Sequence, residues 1–169
     1  MHIFIITASL VIIADQATKF IIRANMKLYD SIPVIKNFFS ITYIENSGIS
    51  FGMLGTGNSE VIRYVLIGVI FIAMCAITAY WYTYRNKSFW YNLACGLILG
   101  GALGNFIDRV FIGRITDFLE VGYKNLTWPV FNVADSGVTV GVTVFIIYIL
   151  FTKEEVSNKS HENGEQQQV

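Results

Sequence analysis

The chain has 169 residues, of which 54% are hydrophobic and only 14% charged, and its mean hydropathy is +0.53. That composition excludes an ordinary water-soluble domain and fits one compact membrane domain. Twelve basic and twelve acidic residues leave no net charge to attract nucleic acid.

Four apolar blocks, at residues 3–22, 61–82, 89–107 and 133–151, are long enough to cross a bilayer as helices, which takes about 20 residues each. The fold expected is an all-α membrane protein, a four-transmembrane-helix bundle. No Lys or Arg precedes the first block and no small-residue cleavage site leads out of it, so a retained helix is expected there. Asp15 and Lys19 are four positions apart in this block and share a helix face. In the connection 23–60, "FFSITYIENSGISFGM" places β-branched and aromatic runs around Asn46, Ser47 and Gly48, which predicts a small outward-facing β-hairpin or sheet with its turn there.

The short link "TYRNKS" after the second block is flanked by Tyr80, Trp81, Tyr82, Tyr84, Phe89, Trp90 and Tyr91, a cluster expected at the membrane interface. Gly96, Gly100 and Gly104 recur along the third block, and Gly137 and Gly141 along the fourth, so these two helices are expected to be close neighbours. Asn105, Asp108 and Arg109 end the third block. In the connection 108–132, Asp117 lies within "GRITDFLEV", read as a mobile loop, and "TWPVF" reads as an extended approach with Trp128 at headgroup level. Asn132 and Asp135 open the fourth block. Residues 1–152 make one membrane-embedded domain, and the polar segment 153–169 is expected to be a disordered tail.

An even number of spans puts both termini on one side with the short link, and both long connections on the other. Arg85, Lys87 and Lys153 compete with Lys27, Lys36, Arg109, Arg114 and Lys124, so positive-inside counting only slightly favours cytoplasmic termini. Parity gathers Asp15, Lys19, Asn46, Asn105, Asp108, Arg109, Asp117, Asn132 and Asp135 at one end of the bundle. Each has a bland reading: Asp135 as a helix cap, Asp15 with Lys19 as a structural ion pair, Asp108 with Arg109 as a surface marker, Asp117 as a solvated loop residue. Their convergence argues for function, because ionisable groups in a bilayer are costly.

His2 and His161 lie on the other side, which removes a His-assisted serine nucleophile and most zinc sites. Two hydrolytic routes stay open. One is an aspartate pair sharing a proton; the other is a Ser/Lys pair, disfavoured because Asp15 would hold Lys19 charged. A small transporter or proton path, or a non-catalytic assembly subunit, would use the same carboxylates differently. The second and fourth spans offer no ionisable residue at depth to continue a path.

Five short motifs occur in order: "DQATK" in the first span, "ENSGISFG" in the first long connection, "GGALGNFIDRV" ending the third span, "TDF" after it, and "FNVADS" opening the fourth. With four spans, this resembles the lipoprotein signal peptidases (type II signal peptidases), bacterial membrane aspartyl peptidases that cut signal peptides from lipid-modified prolipoproteins. "ENSGISFG" carries Ile49 and Ser50 where the family often has Ala. The resemblance implies a catalytic pair at Asp117 and Asp135, with Asp15, Lys19, Asn46, Gly48, Asn105, Arg109, Asn132 and Ala134 in support. It implies cleavage on the N-terminal side of a lipidated cysteine, at the outer face of the cytoplasmic membrane, with no metal or organic cofactor. Its partners would be a prolipoprotein substrate and membrane lipids, and a monomer is expected. "NLACG" at 92–96 resembles the lipid-attachment box of such substrates but lies in the third span, so Cys95 is read as packing.

Overall fold

A computed structural model describes residues 2–48, 59–85, 88–123 and 126–166. Ile49 to Gly52 of the "ENSGISFG" motif, the second arm expected for the hairpin, Lys87 and Lys124 lie outside the described residues. In chain order the elements are α1 (His2–Asn25), β1 (Ser31–Ile35), β2 (Phe39–Asn46), α2 (Ser59–Tyr84), α3 (Phe89–Phe111), β3 (Ile115–Tyr123), β4 (Leu126–Thr127) and α4 (Val133–Gln166). All four helices are long and apolar enough to cross a membrane. Outward-facing side chains such as Leu10, Ile13, Phe20, Ile72 and Leu150 are exposed in the isolated chain, as lipid-facing positions are.

The bundle is organised around α3, which packs against each of the other helices. Glycines make this possible, because hydrocarbon solvent gives apolar side chains no reason to associate and close backbone approach must supply the contact. A Cβ on Gly96 would lie 2.7 Å from the carbonyl oxygen of Phe4, and one on Gly100 2.8 Å from that of Ala8, so this pair seats α1. Gly101 faces the start of α4, and Gly141 of α4 faces Ala94 and Leu97 of α3. The third and fourth spans are thus neighbours, as expected, although Gly96 and Gly100 serve the first.

The aromatic cluster at the short link divides in two. Tyr82, Phe89 and Trp90 are exposed, as interfacial rings should be, but Trp81 and Tyr91 are buried. Trp81 stacks on Phe4 with centroids 3.9 Å apart and donates its Nε1 hydrogen to Asn92 Oδ1 at 2.8 Å, an internal partner that lets an indole leave the interface. Cys95 is buried in the same cluster, in keeping with a packing role.

At the opposite end lies a four-stranded antiparallel sheet in the order β1-β2-β3-β4. Both long connections contribute, whereas the sequence suggested only the first. A hairpin turn that the sequence did not signal joins β1 and β2, where Asn37 adopts the left-handed conformation (φ 62°) and Phe38 N–H donates to Ile35 O at 3.0 Å. Asn46 instead ends β2, paired with Ile115 of β3. Ile22, Tyr43 and Phe118 form a buried cluster, with Val133 packed against it, that fastens the sheet to α1 and α4.

α4 runs on as far as Gln166, into the polar segment that follows the fourth span. Lys153, Glu154 and Glu155 are good helix formers, and extending an existing helix needs no nucleation.

Candidate active site

Asn132 and Asp135 form a reciprocal cap at the start of α4. Asp135 N–H donates to Asn132 Oδ1 at 2.9 Å, and Asn132 N–H donates to Asp135 Oδ2 at 3.1 Å. Asn132 is therefore the N-cap and Asp135 stands three residues on, the arrangement of a capping box. The other Asp135 oxygen, Oδ1, accepts from Asn105 Nδ2 at 2.7 Å. The bland reading of Asp135 as the cap passes to Asn132, leaving Asp135 as a carboxylate clamped from two sides.

Asp117 sits on β3, a paired strand rather than the mobile loop expected, and it is 2% exposed. Its Oδ1 accepts from Asn132 Nδ2 at 2.7 Å and its Oδ2 from Asn46 Nδ2 at 3.0 Å. Asn132 thus touches both carboxylates. Burial pushes the Asp117 carboxyl up to about 6 and the neighbouring Asp135 charge adds to this, while the hydrogen bonds from Asn46 and Asn132 and the charge of Lys19 pull it back. Asn46 is oriented by its other end, since its Oδ1 accepts Gly48 N–H at 2.8 Å. Gly48 has φ +80°, and a Cβ there would lie 2.5 Å from Leu66 Cδ1 and 2.8 Å from Arg109 Nη2. Both backbone conformation and space demand glycine at this position.

Behind the two aspartates lies a buried charged layer. Lys19 and Asp15 are fully buried and 2.9 Å apart, and Lys19 Nζ also lies 3.3 Å from Asp108 Oδ2 and donates to Asn105 Oδ1 at 3.0 Å. Among the described residues none of the Lys19 partners is a serine, so nothing here favours a Ser/Lys pair. Asn105 Oδ1 also accepts from Asn132 Nδ2 at 3.2 Å, so both ends of the Asn105 amide are engaged within the protein. Asp15 Oδ1 accepts the backbone N–H of the buried Ala134 at 2.9 Å. Arg109 is buried, donates from Nη1 to Ser47 O at 3.1 Å, and leaves its Nε without a hydrogen-bond partner among the described residues.

Asp15, Lys19, Asn46, Gly48, Asn105, Arg109, Asp117, Asn132, Ala134 and Asp135 therefore stand together at the sheet end of the bundle. Sequence reasoning passed over Gln16, Arg23 and Arg63. Gln16 Nε2 donates to Asp15 Oδ2, Gly104 O and Asp108 Oδ1 at 3.1, 3.0 and 3.3 Å. Arg23 lies four residues beyond Lys19, a spacing that could have flagged it; its Nη1 donates to Thr116 Oγ1 at 2.9 Å and lies 3.6 Å from Asp108. Arg63 donates to the carbonyls of Arg109 and Val110 at 3.0 and 2.6 Å, satisfying the end of α3. Among the described residues, no group of three His, Cys, Asp or Glu side chains is placed to hold a metal ion.

Beside Asp135 a groove of about 380 Å³ runs along α4, lined by Trp128, Phe131, Asp135, Ser136, Thr139 and Val140. It joins a carboxylate at one end to apolar surface at the other.

The fold and site define a polytopic membrane bundle with a sheet at one end and, between them, a carboxylate pair of which Asp117 is buried and Asp135 half-buried. The profile of the family described as "Signal peptidase (SPase) II" matches residues 7–151, and the chain belongs to that family. Among its relatives, the lipoprotein signal peptidase of Geobacter metallireducens is 41% identical over 146 residues, 86% of this chain and 89% of that one. That of Geobacter sulfurreducens is 42% identical over 136 residues, 80% of this chain and 84% of that one. A solved bacterial membrane enzyme superposes with a TM-score of 0.72 at 35% identity, covering 94% of this chain and 92% of the other. Another does so at 0.72 and 36%, covering 89% and 94%.

Proposed function

We propose that this chain is an aspartyl endopeptidase that removes signal peptides from diacylglyceryl-modified prolipoproteins, cutting on the N-terminal side of the lipidated cysteine at the outer face of the cytoplasmic membrane. The observation that carries it is Asn132, hydrogen-bonded to Asp117 through its side chain and to Asp135 through its backbone. Two carboxylates joined through one asparagine, each acting on the other's charge, would share one proton. Asp117, raised by burial, is assigned that proton in the resting enzyme; Asp135, in the first turn of α4, sits where peptide dipoles favour negative charge.

Hydrolysis then follows as general acid and base work. Asp135 takes a proton from water as its oxygen bonds to the scissile carbonyl carbon, and Asp117 gives its proton to the carbonyl oxygen. Collapse of the tetrahedral intermediate breaks the C–N bond: one hydroxyl of the intermediate returns its proton to Asp117 as the carbonyl re-forms, the departing cysteine nitrogen takes up the proton held by Asp135, and the new carboxylic acid ionises to solvent. The products are a signal-peptide carboxylate and the free amine of the lipidated cysteine. Arg109, whose Nε has no hydrogen-bond partner among the described residues, is assigned to the substrate backbone, and Asn105 and Asn46 to holding the two carboxylates.

The groove supports the lipid requirement, because acyl chains along Thr139 and Val140 would deliver the scissile bond to Asp135. Binding energy from a remote part of a substrate becomes rate when it orients the reacting centre. The test is cleavage by purified protein of a diacylglyceryl-modified peptide, and of the same peptide with unmodified cysteine. Efficient cleavage of the first and poor cleavage of the second is expected, and equal rates would remove the lipid argument.

A further inference from the structure

Two backbone amides occupy corresponding places in the site. Ala134, immediately before Asp135, donates its N–H to Asp15 Oδ1 at 2.9 Å; Thr116, immediately before Asp117, donates its N–H to Asp108 Oδ2 at 2.9 Å. Both accepting carboxylates are fully buried, and both are held by the same ammonium, Lys19 Nζ, at 2.9 and 3.3 Å. We infer that Asp108 is a positioning residue which, joined to Asp15 through Lys19, grips the chain next to each member of the aspartate pair and so sets how the two carboxylates face each other. This rests on the proposed aspartyl mechanism and adds to it the element that fixes its geometry.

Three features make the grip more than a buried salt bridge. β3 and the start of α4 are already tied within one connection, where Phe118 and Leu119 N–H donate to Phe131 O at 3.0 and 2.7 Å and Asn132 Nδ2 donates to Asp117; the Asp108 and Asp15 contacts add a second tie, on the residue preceding each carboxylate. The two anchored residues, Thr116 and Ala134, are themselves buried, so water has little access to compete for their amides. Asp15 and Asp108 face Lys19 and Arg23, which leaves the layer formally neutral and able to persist at membrane depth. Gln16 closes the remaining gap by donating to both carboxylates, at 3.1 and 3.3 Å.

A grip of this kind leaves a signature that a purely structural residue does not. If Thr116 is released, Asp117 drifts from Asp135, whose like charge, with burial, holds the upper apparent pKa of the pair high. Lys19 from α1, Arg109 from α3 and the more distant Asp15 and Asp108 complete the charges around the pair. The rate should then fall and the basic limb of the pH profile should move to lower pH, while substrate binding is spared.

The experiment compares purified full-length wild type, Asp108→Ala and Asp108→Asn on a diacylglyceryl-modified peptide, with kcat, KM and the pH profile measured per folded protein. Asp108→Ala should lose about 100-fold in kcat, the scale set by misplacing reacting groups by an ångström, with KM changed less than about threefold. Its basic limb should shift down by about one pH unit. Asp108→Asn keeps an oxygen for the Thr116 amide and should retain most of the rate with its limb unmoved. If Asp108→Ala does not fold, Asp108→Asn decides alone. A loss of rate in that variant as deep as 100-fold, a shifted limb, or its failure to fold would make charge rather than the grip the essential feature and overturn the inference. So would an Asp108→Ala enzyme with an unmoved limb, or one impaired only in KM. Inactivity of wild type, or activity of Asp117→Asn, would instead sink the mechanism; the grip is then read from hydrogen exchange at Thr116, which should quicken at least tenfold in Asp108→Ala or, by staying protected, refute it.

Discussion

Asn132 and Asp135 cap each other across the first turn of α4, each donating its backbone N–H to the other's side chain. The same asparagine uses its side-chain amide on Asp117, so the motif "FNVADS" builds the helix start and the carboxylate contact with one residue. Asn132→Ala should therefore lose a cap, worth about 1 to 2 kcal/mol, and also release both carboxylates. A fall of at least tenfold in kcat per folded protein is expected at temperatures well below the lowered midpoint. Full activity alongside lowered thermal stability would reduce Asn132 to a cap.

If the pair works as assigned, Asp117→Asn and Asp135→Asn should each abolish cleavage while leaving the protein folded, because an amide can neither share nor transfer the proton. Ser47→Ala and Ser136→Ala should remain active, since neither hydroxyl touches Lys19. Measurable turnover by either aspartate variant would end the assignment.

Burial of Asp117 carries a second, independent consequence. A carboxyl whose pKa is raised from 3.8 to about 6 on folding keeps its proton in the folded state over a range in which the unfolded chain has lost it. Its contribution to stability is fully present below about pH 4 and is lost as pH rises towards 6, by an amount on the order of 3 kcal/mol. Asp117→Asn cannot ionise. Thermal unfolding in detergent from pH 4 to 8 should thus show wild type losing stability relative to the variant up to about pH 6, with a constant difference above it. Parallel curves throughout would mean that Asp117 does not titrate in this range.

The four helices were legible because a bilayer imposes length and apolarity on any span, and topological parity alone was enough to gather the polar residues at one end. The sheet was half legible. β3 contains Asp117, Glu120 and Gly122 and alternates poorly, so its strand state comes from pairing with β2 rather than from a pattern of its own. The turn chemistry of "NSG" is used by Asn46 on Asp117 and Gly48, while the hairpin between β1 and β2, at Asn37, carried no such signal. Asp108 was visible as a charge at a helix end, but its grip on Thr116 is a contact across the chain reversal after α3 that no spacing rule discloses.

Glycines of the bundle helices differ sharply in what surrounds them. A Cβ on Gly101 would overlap the carbonyl oxygen of Ala134, the residue before Asp135, whereas a Cβ on Gly68 of α2 meets nothing within 4 Å. Gly101→Ala should push the start of α4 aside and cost about 100-fold in kcat through displacement of Asp135. Gly68→Ala should leave cleavage intact and, by its better helix propensity, stabilise by up to about 1 kcal/mol. An active Gly101→Ala enzyme would show that α4 can shift without moving the site.

The Asp15 and Lys19 pair allows a quantitative test of the layer beneath the site. Lys19 is fully buried, so the freedom of a long side chain to reach the membrane surface is not open to it without moving its neighbours. Asp15→Ala leaves the ammonium with Asp108 at 3.3 Å and Asn105 at 3.0 Å, still partnered. Among the described residues, Lys19→Ala leaves Asp15 without its counter-ion and Asp108 with Arg23, at 3.6 Å, as its remaining cation. Removing one member of a buried pair costs about 3 to 5 kcal/mol, because the survivor's charge is uncompensated. Both single variants should be destabilised in thermal or denaturant unfolding, Lys19→Ala the more, and the double variant should recover part of the loss. A coupling of about 1 to 3 kcal/mol is expected across the double-mutant cycle. Strictly additive losses would mean that the 2.9 Å contact contributes nothing of its own and that Asp15 acts only through the Ala134 amide.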